Sequence, residues 1–244
     1  MIEMRALTTM EEFGPVVEME REVWGFSELE LIPRRLFLVL SKAGGQVFGA
    51  FDGDEMIAFL FAVPAVKANG RCYLHSDMLA VRAAYRDKGV GRMLKLKQRD
   101  DALARGITLV EWTFDPLELR NAYFNMERLG ATVRRYAFNR YGFTSSTLHG
   151  DLPTDRSIAE WYIASDHVRR IVAGEPSPRP ETLKRIVIPQ AVRQWRTEAP
   201  DRVRQVQREI GEQFAEYFDQ GLSVTGFERT SETGTYLFGK WDFE

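Results

Sequence analysis

Residues 80–106, AVRAAYRDKGVGRMLKLKQRDDALARG, place Gly89 and Gly91 at the start of a long helical pattern. Glycine costs roughly 1 kcal/mol relative to alanine inside a helix, so propensity argues against both positions. A helix N-terminus leaves its first amides without intrahelical partners and carries partial positive charge. Anions, phosphate above all, are held there by several hydrogen bonds, and glycine lets the backbone come close to such a guest. Arg86, Lys88 and Arg92 add positive charge around the turn. RDKGVG therefore reads as a phosphate-cradling turn; on the glycines alone it is also a plain strand–helix turn. Two other phosphate motifs do not fit: no G-x-x-x-x-G-K-[ST] occurs, and G-x-G-x-x-G meets Leu94 where its third glycine belongs.

Outward from this turn the chain alternates between strand and helix patterns. Upstream, MIEMRALT alternates apolar and polar residues and predicts a strand. TTMEEFGPVVEMEREVWG carries a threonine cap and early acids and predicts a helix; IPRRLFLVLSKAGG, with Pro33 early and Gly44 after its end, predicts another. Two apolar runs around DGDE in QVFGAFDGDEMIAFLFAVPAV predict a hairpin, and CYLHSDMLAV a strand leading into the turn. Downstream, ITLVEWTFDP predicts a strand, LRNAYFNMERLG a short helix closed by Gly130, and ATVRRYAFNRYG a further strand. The order β-α-α-β-β-β-α-β-α-β is a mixed α/β pattern, with antiparallel hairpins early and a parallel crossover around 74–114.

Beyond residue 150 the signals weaken. DRSIAEWYIA suits a strand, and the Pro-rich GEPSPRPE at 174–181 is the predicted boundary. LKRIVIP then predicts a strand, and Val203, Val206, Ile210, Phe214, Tyr217 and Phe218 predict a helix from about Pro200. LSVTGFERTSETGTYLFGKW predicts a closing hairpin. The mixed Arg and Glu pattern at 193–209 reads as one solvated helix face.

The bulk numbers fit a single core with an elaboration. The chain has 244 residues, 44% hydrophobic and 28% charged, close to the size at which one core stops growing. With 33 Lys and Arg against 35 Asp and Glu, the net charge is −2, which gives no general pull toward nucleic acid or anionic membranes. MIEMRALTTMEEF lacks the apolar run of a signal peptide. MIAFLFAVPAV is too short to span a bilayer, so the expectation is a cytoplasmic protein with no membrane partner. The single cysteine, Cys72, cannot form an internal disulfide and suits a reducing compartment. Its strand-like neighbours predict a buried, inert thiol.

DMLAVRAAYRDKGVGRML resembles the central motif of the GNAT superfamily of acetyl-CoA-dependent N-acetyltransferases. The core [Q/R]-x-x-G-x-[G/A] is met by Arg86, Gly89 and Gly91 after the strand ending in Val81. RNAYFNMERLGA stands where that family carries a fourth helix ending in Leu-Gly, here Leu129-Gly130. The resemblance covers roughly residues 1–165. The whole chain also resembles a longer bacterial branch of predicted GNAT acetyltransferases with a C-terminal extension. It implies a GNAT-like α/β fold with a mixed sheet over residues 1–172, and a strand-helix-hairpin extension over 181–244. The stretch FAEYFDQGLSVTGF resembles a fourth helix running into a sixth strand. On that resemblance the extension is a degenerate half-domain, packed beside the first or exchanged between subunits.

The resemblance also implies a site. The strands YLHSDMLAV and ITLVEWTF would splay to admit the pantetheine arm of acetyl-CoA, a co-substrate, with main-chain groups of Leu79 and Val81 pairing with it. Amides from Asp87 through Lys88, Gly89, Val90 and Gly91 to Arg92 would hold the pyrophosphate, and Asn121 would touch the cofactor. No metal is implied. The acceptor would be a small-molecule or peptide amine, and a homodimer is compatible.

Acyl transfer to an amine needs the neutral amine, which at pKa ~10.4 is a minor species at pH 7, so a base helps. His75 falls where several relatives carry a glutamate base, and strand alternation puts Asp77 on the same face; a packed structural histidine is the alternative. Glu111 on the neighbouring strand is a further candidate. Many relatives carry a tyrosine on the fourth helix that protonates the departing thiolate; alignment on Leu129-Gly130 puts Met126 there, which cannot donate a proton. Tyr123, one turn earlier, is the substitute, with plain core packing as its alternative role. Two readings follow: an N-acyltransferase acting by direct attack, or a non-catalytic CoA-binding or regulatory module whose C-terminal part engages a partner.

Overall fold

A computed structural model describes residues 1–142, 145–146 and 152–241, and the chain divides into two compact units. The first comprises residues 1–111 together with 145–146, and the second the remaining described residues from 112 on.

In the first unit, β1 (Ile2–Ala6) leads to α1 (Gly14–Trp24) and α2 (Arg34–Lys42). The predicted threonine cap lies outside α1. Glu12 N–H donates to Thr9 Oγ1 (3.3 Å) and Thr9 N–H to Glu12 Oε2 (3.1 Å), closing a turn before the helix begins at Gly14. Next come β2 (Gln46–Asp52), β3 (Glu55–Val66) and β4 (Cys72–Val81), then α3 (Val90–Ala104) and β5 (Leu109–Phe114). The strands run in the order β1-β2-β3-β4-β5, antiparallel up to β4 and parallel from β4 to β5. Val16 and Met19 of α1 and Phe37 of α2 pack on Phe59, Phe61, Met78 and Ala80 of β3 and β4. Phe37 and Phe61 meet edge-to-face with ring centroids 4.9 Å apart. Cys72 is exposed, contrary to the sequence reading: it is the first residue of β4, paired with Val66 at the open end of the β3–β4 ladder.

The second unit starts within β5, at Trp112. α4 (Leu119–Tyr123) passes into a π-helical turn, Phe124–Arg128, where sequence alone reads one continuous helix. β6 (Thr132–Ala137) and β7 (Arg156–Tyr162) follow. α5 (Asp166–Ala173) was not expected, although Ser165 caps it by accepting from Val168 N–H and Gly174 ends it in a left-handed conformation. The segment 174–181 lies inside this unit and leads to β8 (Lys184–Pro189). The solvated pattern at 193–209 is two helices, α6 (Val192–Glu198) and α7 (Pro200–Asp219). They break at Pro200, which has no N–H to continue α6. β9 (Ser223–Arg229) and β10 (Thr233–Gly239) form the closing hairpin.

Strand order in this unit reads the same from either end. The run β5-β7-β6-β9-β10-β8 matches β5 to β8, β7 to β10 and β6 to β9. In both halves the last strand in sequence inserts between the other two. The halves meet at an antiparallel β6–β9 pair, Val133 opposite Val224, with Thr132 Oγ1 donating to Val224 O (2.7 Å). Helix contacts follow the same exchange, α4 touching β9 and α7 touching β6. Phe214 of α7 is fully buried and stacks on Tyr136 of β6 (5.2 Å), with Tyr236 and Phe238 of β10 edge-on.

Candidate active site

The site is built on an irregularity in β4. Against β3, Met78 pairs with Phe61 and Ser76 with Ala62, so Asp77 is the extra residue of a bulge. A bulge shifts which side chains face which side. Before it, Ser76 turns to α3, its Oγ accepting from Lys95 Nζ (2.9 Å). After it, Leu79 and Val81 face α3, beside Gly91, while Met78 and Ala80 join the core under α1 and α2. His75 and Asp77 still come together, with Nε2 3.9 Å from Oδ1 and their side chains 21% and 37% exposed. Burial raises the Asp77 carboxyl above the usual aspartate range, and His75 partly offsets this.

Beside the bulge, β4 meets the start of β5. Within the first unit the two strands pair at Leu74↔Val110 and His75↔Glu111, and β4 is paired with β3 out to Val81. Leu79 and Val81 therefore lie on a stretch of β4 to which the first unit supplies a paired strand on the β3 side. Both are half-buried. An extended chain or arm could lie there as a strand would, since an unpaired strand edge offers a row of donors and acceptors.

The glycine turn follows directly. After a 3-10 turn at Ala83–Tyr85, both Asp87 (φ 63°) and Gly89 (φ 81°) are left-handed. Left-handed residues separated by a residue of ordinary φ curl a turn so that its successive amides converge, a nest suited to an anion. Gly89 is the N-cap of α3, and the first bond of that helix runs from Met93 N–H to Gly89 O (3.0 Å). The amides of Val90, Gly91 and Arg92 thus precede the helical ladder. Arg86, Asp87, Lys88 and Gly89 are exposed, whereas the Val90 side chain is buried and leaves only its main chain for a ligand. Arg86 Nε donates to Val81 O (3.1 Å), fixing the turn to the end of β4. A diphosphate fits this donor set.

Glu111, on β5 opposite His75, is buried and held by Lys67 Nζ at 2.5 Å, so its carboxylate already serves an ion pair. In the second unit, Asn121 is exposed on α4 and Met126 is buried in the π-helical turn. Tyr123 is 38% exposed, against the core-packing reading, because it lies on the outer face of the short α4.

Two groups escaped the sequence reading. Glu20 of α1 is fully buried; its Oε2 accepts from Ile32 N–H (3.0 Å), while its Oε1 is buried with no hydrogen-bond partner. Burial, with the Asp77 charge adding, pushes its carboxyl up to about 7. The signal was present: Val16, Met19, Glu20 and Val23 fall at helical-stripe spacing, so an acid occupies a core position. Lys95 of α3 is 4% exposed and donates to Ser76 Oγ and Gln98 Oε1 (3.0 Å). Burial pushes its ammonium down to about 7. Among the described residues no helix is long and apolar enough to cross a membrane, and no cluster of three His, Cys, Asp or Glu is placed to hold a metal.

Residues 15–131 match the family model described as acetyltransferase (GNAT) family. Among solved structures, the ribosomal-protein-S18-alanine N-acetyltransferase of Escherichia coli is 18% identical, over 67% of this chain and 94% of that one, with a TM-score of 0.51. A probable acetyltransferase from Staphylococcus epidermidis is 16% identical over 66% and 98%, with a TM-score of 0.55. Arabidopsis thaliana Naa50, solved with the bisubstrate analogue CoA-Ac-MVNAL, is 12% identical over 65% and 97%, with a TM-score of 0.51. At these identities the likeness is one of fold. No curated protein matches the chain.

Proposed function

Residues 15–131 belong to the GNAT family of acetyltransferases, whose reaction is acetyl transfer from acetyl-CoA, and from that premise we propose that this protein acetylates an amine by direct attack in a ternary complex. The observation that carries the proposal is the Asp87–Arg92 nest directly after β4, the strand that bears Leu79, Val81, His75 and Asp77. The nest holds the pyrophosphate of acetyl-CoA, and the β4 edge at Leu79 and Val81 receives its pantetheine arm. The thioester then lies near the bulge, where His75 and Asp77 take a proton from the acceptor ammonium. Positioning of the two reactants supplies much of the rate, on the order of 7–11 kcal/mol in well-oriented systems. A buried Met126 leaves the thiolate without a proton donor at that position. A thiol of pKa ~8.5 is a tolerable leaving group unaided.

The acceptor is a small-molecule or peptide amine. The acidic Asp77 suits a cation, which an alkyl amine is at neutral pH. Residues 1–172 form the acetyltransferase part, and 181–244 a degenerate copy of its second half. The palindromic strand order and the reciprocal helix contacts support that copy. A panel of amines and peptides incubated with acetyl-CoA, read by thiol release, tests the activity. Turnover with at least one acceptor is expected, and its loss in H75A with coenzyme affinity retained locates the chemistry. The buried Met126 favours a second reading, a CoA-binding module without turnover, which binding without thiol release across the panel would support.

A further inference from the structure

The bulge in β4 places Asp77 as the extra residue, between Ser76 opposite Ala62 and Met78 opposite Phe61. A bulge can form at neighbouring positions of one ladder, and a slip by one residue turns every side chain beyond it to the other face. The position of this one is held from α3. Lys95, 4% exposed, donates from Nζ to Ser76 Oγ (2.9 Å) and to Gln98 Oε1 (3.0 Å). Gln98 is fully buried and donates from Nε2 to Gln46 Oε1 on β2 (3.0 Å). Gln46 Nε2 in turn donates to Gln98 O (3.1 Å) and Asp101 Oδ2 (2.7 Å). Hydrogen bonds thus run from β2 through α3 to Ser76, which is itself 4% exposed.

Packing alone does not ask for this chain of contacts. Leu94 and Ala102, on the same face of α3, are fully buried apolar residues, and methionine has nearly the length of lysine. Burial pushes the Lys95 ammonium down to about 7, so a charge is costly at this position. The best-attested use of buried polar contacts that packing does not require is to fix register. We infer that Lys95 is a positioning residue for the site: braced by Gln98, it holds Ser76 and so pins the β4 bulge at Asp77, which sets that carboxylate beside His75. The inference rests on the proton-removing role proposed above for His75 and Asp77. Lys95 acts through Ser76 and is not a residue that touches substrate. Gly89, at the nest, caps the same helix, so α3 keeps the nest amides and the His75–Asp77 pair in one frame.

The test needs neither acceptor nor acetyl-CoA, so its failure is distinct from failure of the acetyltransferase reading. Cross-strand NOEs between β3 and β4 report the register, through the pairs Phe61–Met78 and Ala62–Ser76. S76A removes the hydroxyl at nearly the same size. In it those NOEs should be lost or give way to pairs shifted by one residue. The NMR shift of the His75 imidazole is the chemical readout. D77N marks where that signal lies without the neighbouring carboxylate, and S76A should move it most of the way there. S76T, which keeps a hydroxyl, should match wild type in both readouts. K95M/S76A should melt no lower than S76A, since neither partner of the bond is then left behind, yet should show the S76A pattern. That result separates position from stability. Wild-type NOEs and a wild-type His75 signal in S76A overturn the inference, and S76A against S76T decides it should the double variant not fold.

Discussion

His75 Nε2 lies 3.9 Å from Asp77 Oδ1, on opposite sides of Ser76 in a bulged strand. The bulge lets Ser76 and Leu79, three residues apart, both face α3, while His75 and Asp77 stay within reach of each other. On the proposed function, replacing either member should weaken proton removal and leave the Asp87–Arg92 turn undisturbed. H75A and D77N are each expected to lower kcat/KM for the acceptor by about 10²-fold or more, with calorimetric acetyl-CoA affinity within threefold of wild type. Equal losses of affinity and turnover would instead make them packing residues.

Glu20 makes stability depend on pH in a direction opposite to an ordinary paired carboxylate. Folded, it keeps its proton up to about pH 7; unfolded, it loses it near pH ~4.3. Between those values the folded chain binds more protons, so stability falls as pH rises, by about 1.4 kcal/mol per unit and up to about 3–4 kcal/mol. E20Q does not titrate. Its melting temperature relative to wild type should climb from pH 5 to pH 8 and level off above that, as read by thermal unfolding.

Lys95 reverses that slope at higher pH. Its folded ammonium gives up its proton near pH 7, against ~10.4 in the unfolded chain. From about pH 7 to 10 the unfolded state therefore binds more protons, and stability rises with pH. The melting temperature of K95M relative to wild type should be highest at pH 7 and below and fall toward pH 10. A flat difference would mean that Lys95 stays charged in the fold.

Gly89 sits at φ 81° with nothing within 4 Å of where a Cβ would stand. The constraint is thus conformational, not steric. G89V puts a β-branched residue in a left-handed position at a cost of about 1–3 kcal/mol, and the turn relaxes away from its nest. Affinity for acetyl-CoA should drop at least tenfold, while thermal stability changes by only a few degrees.

Phe214 joins the C-terminal helix to the rest of the second unit. It is fully buried among Tyr136, Tyr236 and Phe238. F214A should cost about 3–5 kcal/mol, read by urea unfolding. A loss under 1 kcal/mol would show residues 200–219 to be a loosely attached arm.

Most of the frame is readable from residue patterns. The glycine turn, the hairpin at DGDE and the strand–helix alternation to residue 137 are local signals, set by backbone conformation and periodicity. The missed features have non-local causes. α5 is a short helix whose cap, Ser165, and stop, Gly174, are visible, but only two of its residues, His167 and Val168, are buried. The separation of α6 from α7 depends on Pro200 alone. The bulge at Asp77 leaves no mark in β4 itself, since it is defined by which β3 residue stands opposite. Glu20 and Lys95 are charges on apolar stripes, a pattern that in a helix ordinarily marks solvated surface.

On the proposed function, acetyl-CoA is received by the Asp87–Arg92 turn and by β4 at Leu79 and Val81. Backbone amide NMR during titration with CoA measures it residue by residue. The account predicts saturable shifts that are largest from Asp87 to Arg92 and at Leu79 and Val81. Saturable binding with those amides unmoved, or no binding at millimolar CoA, would contradict it.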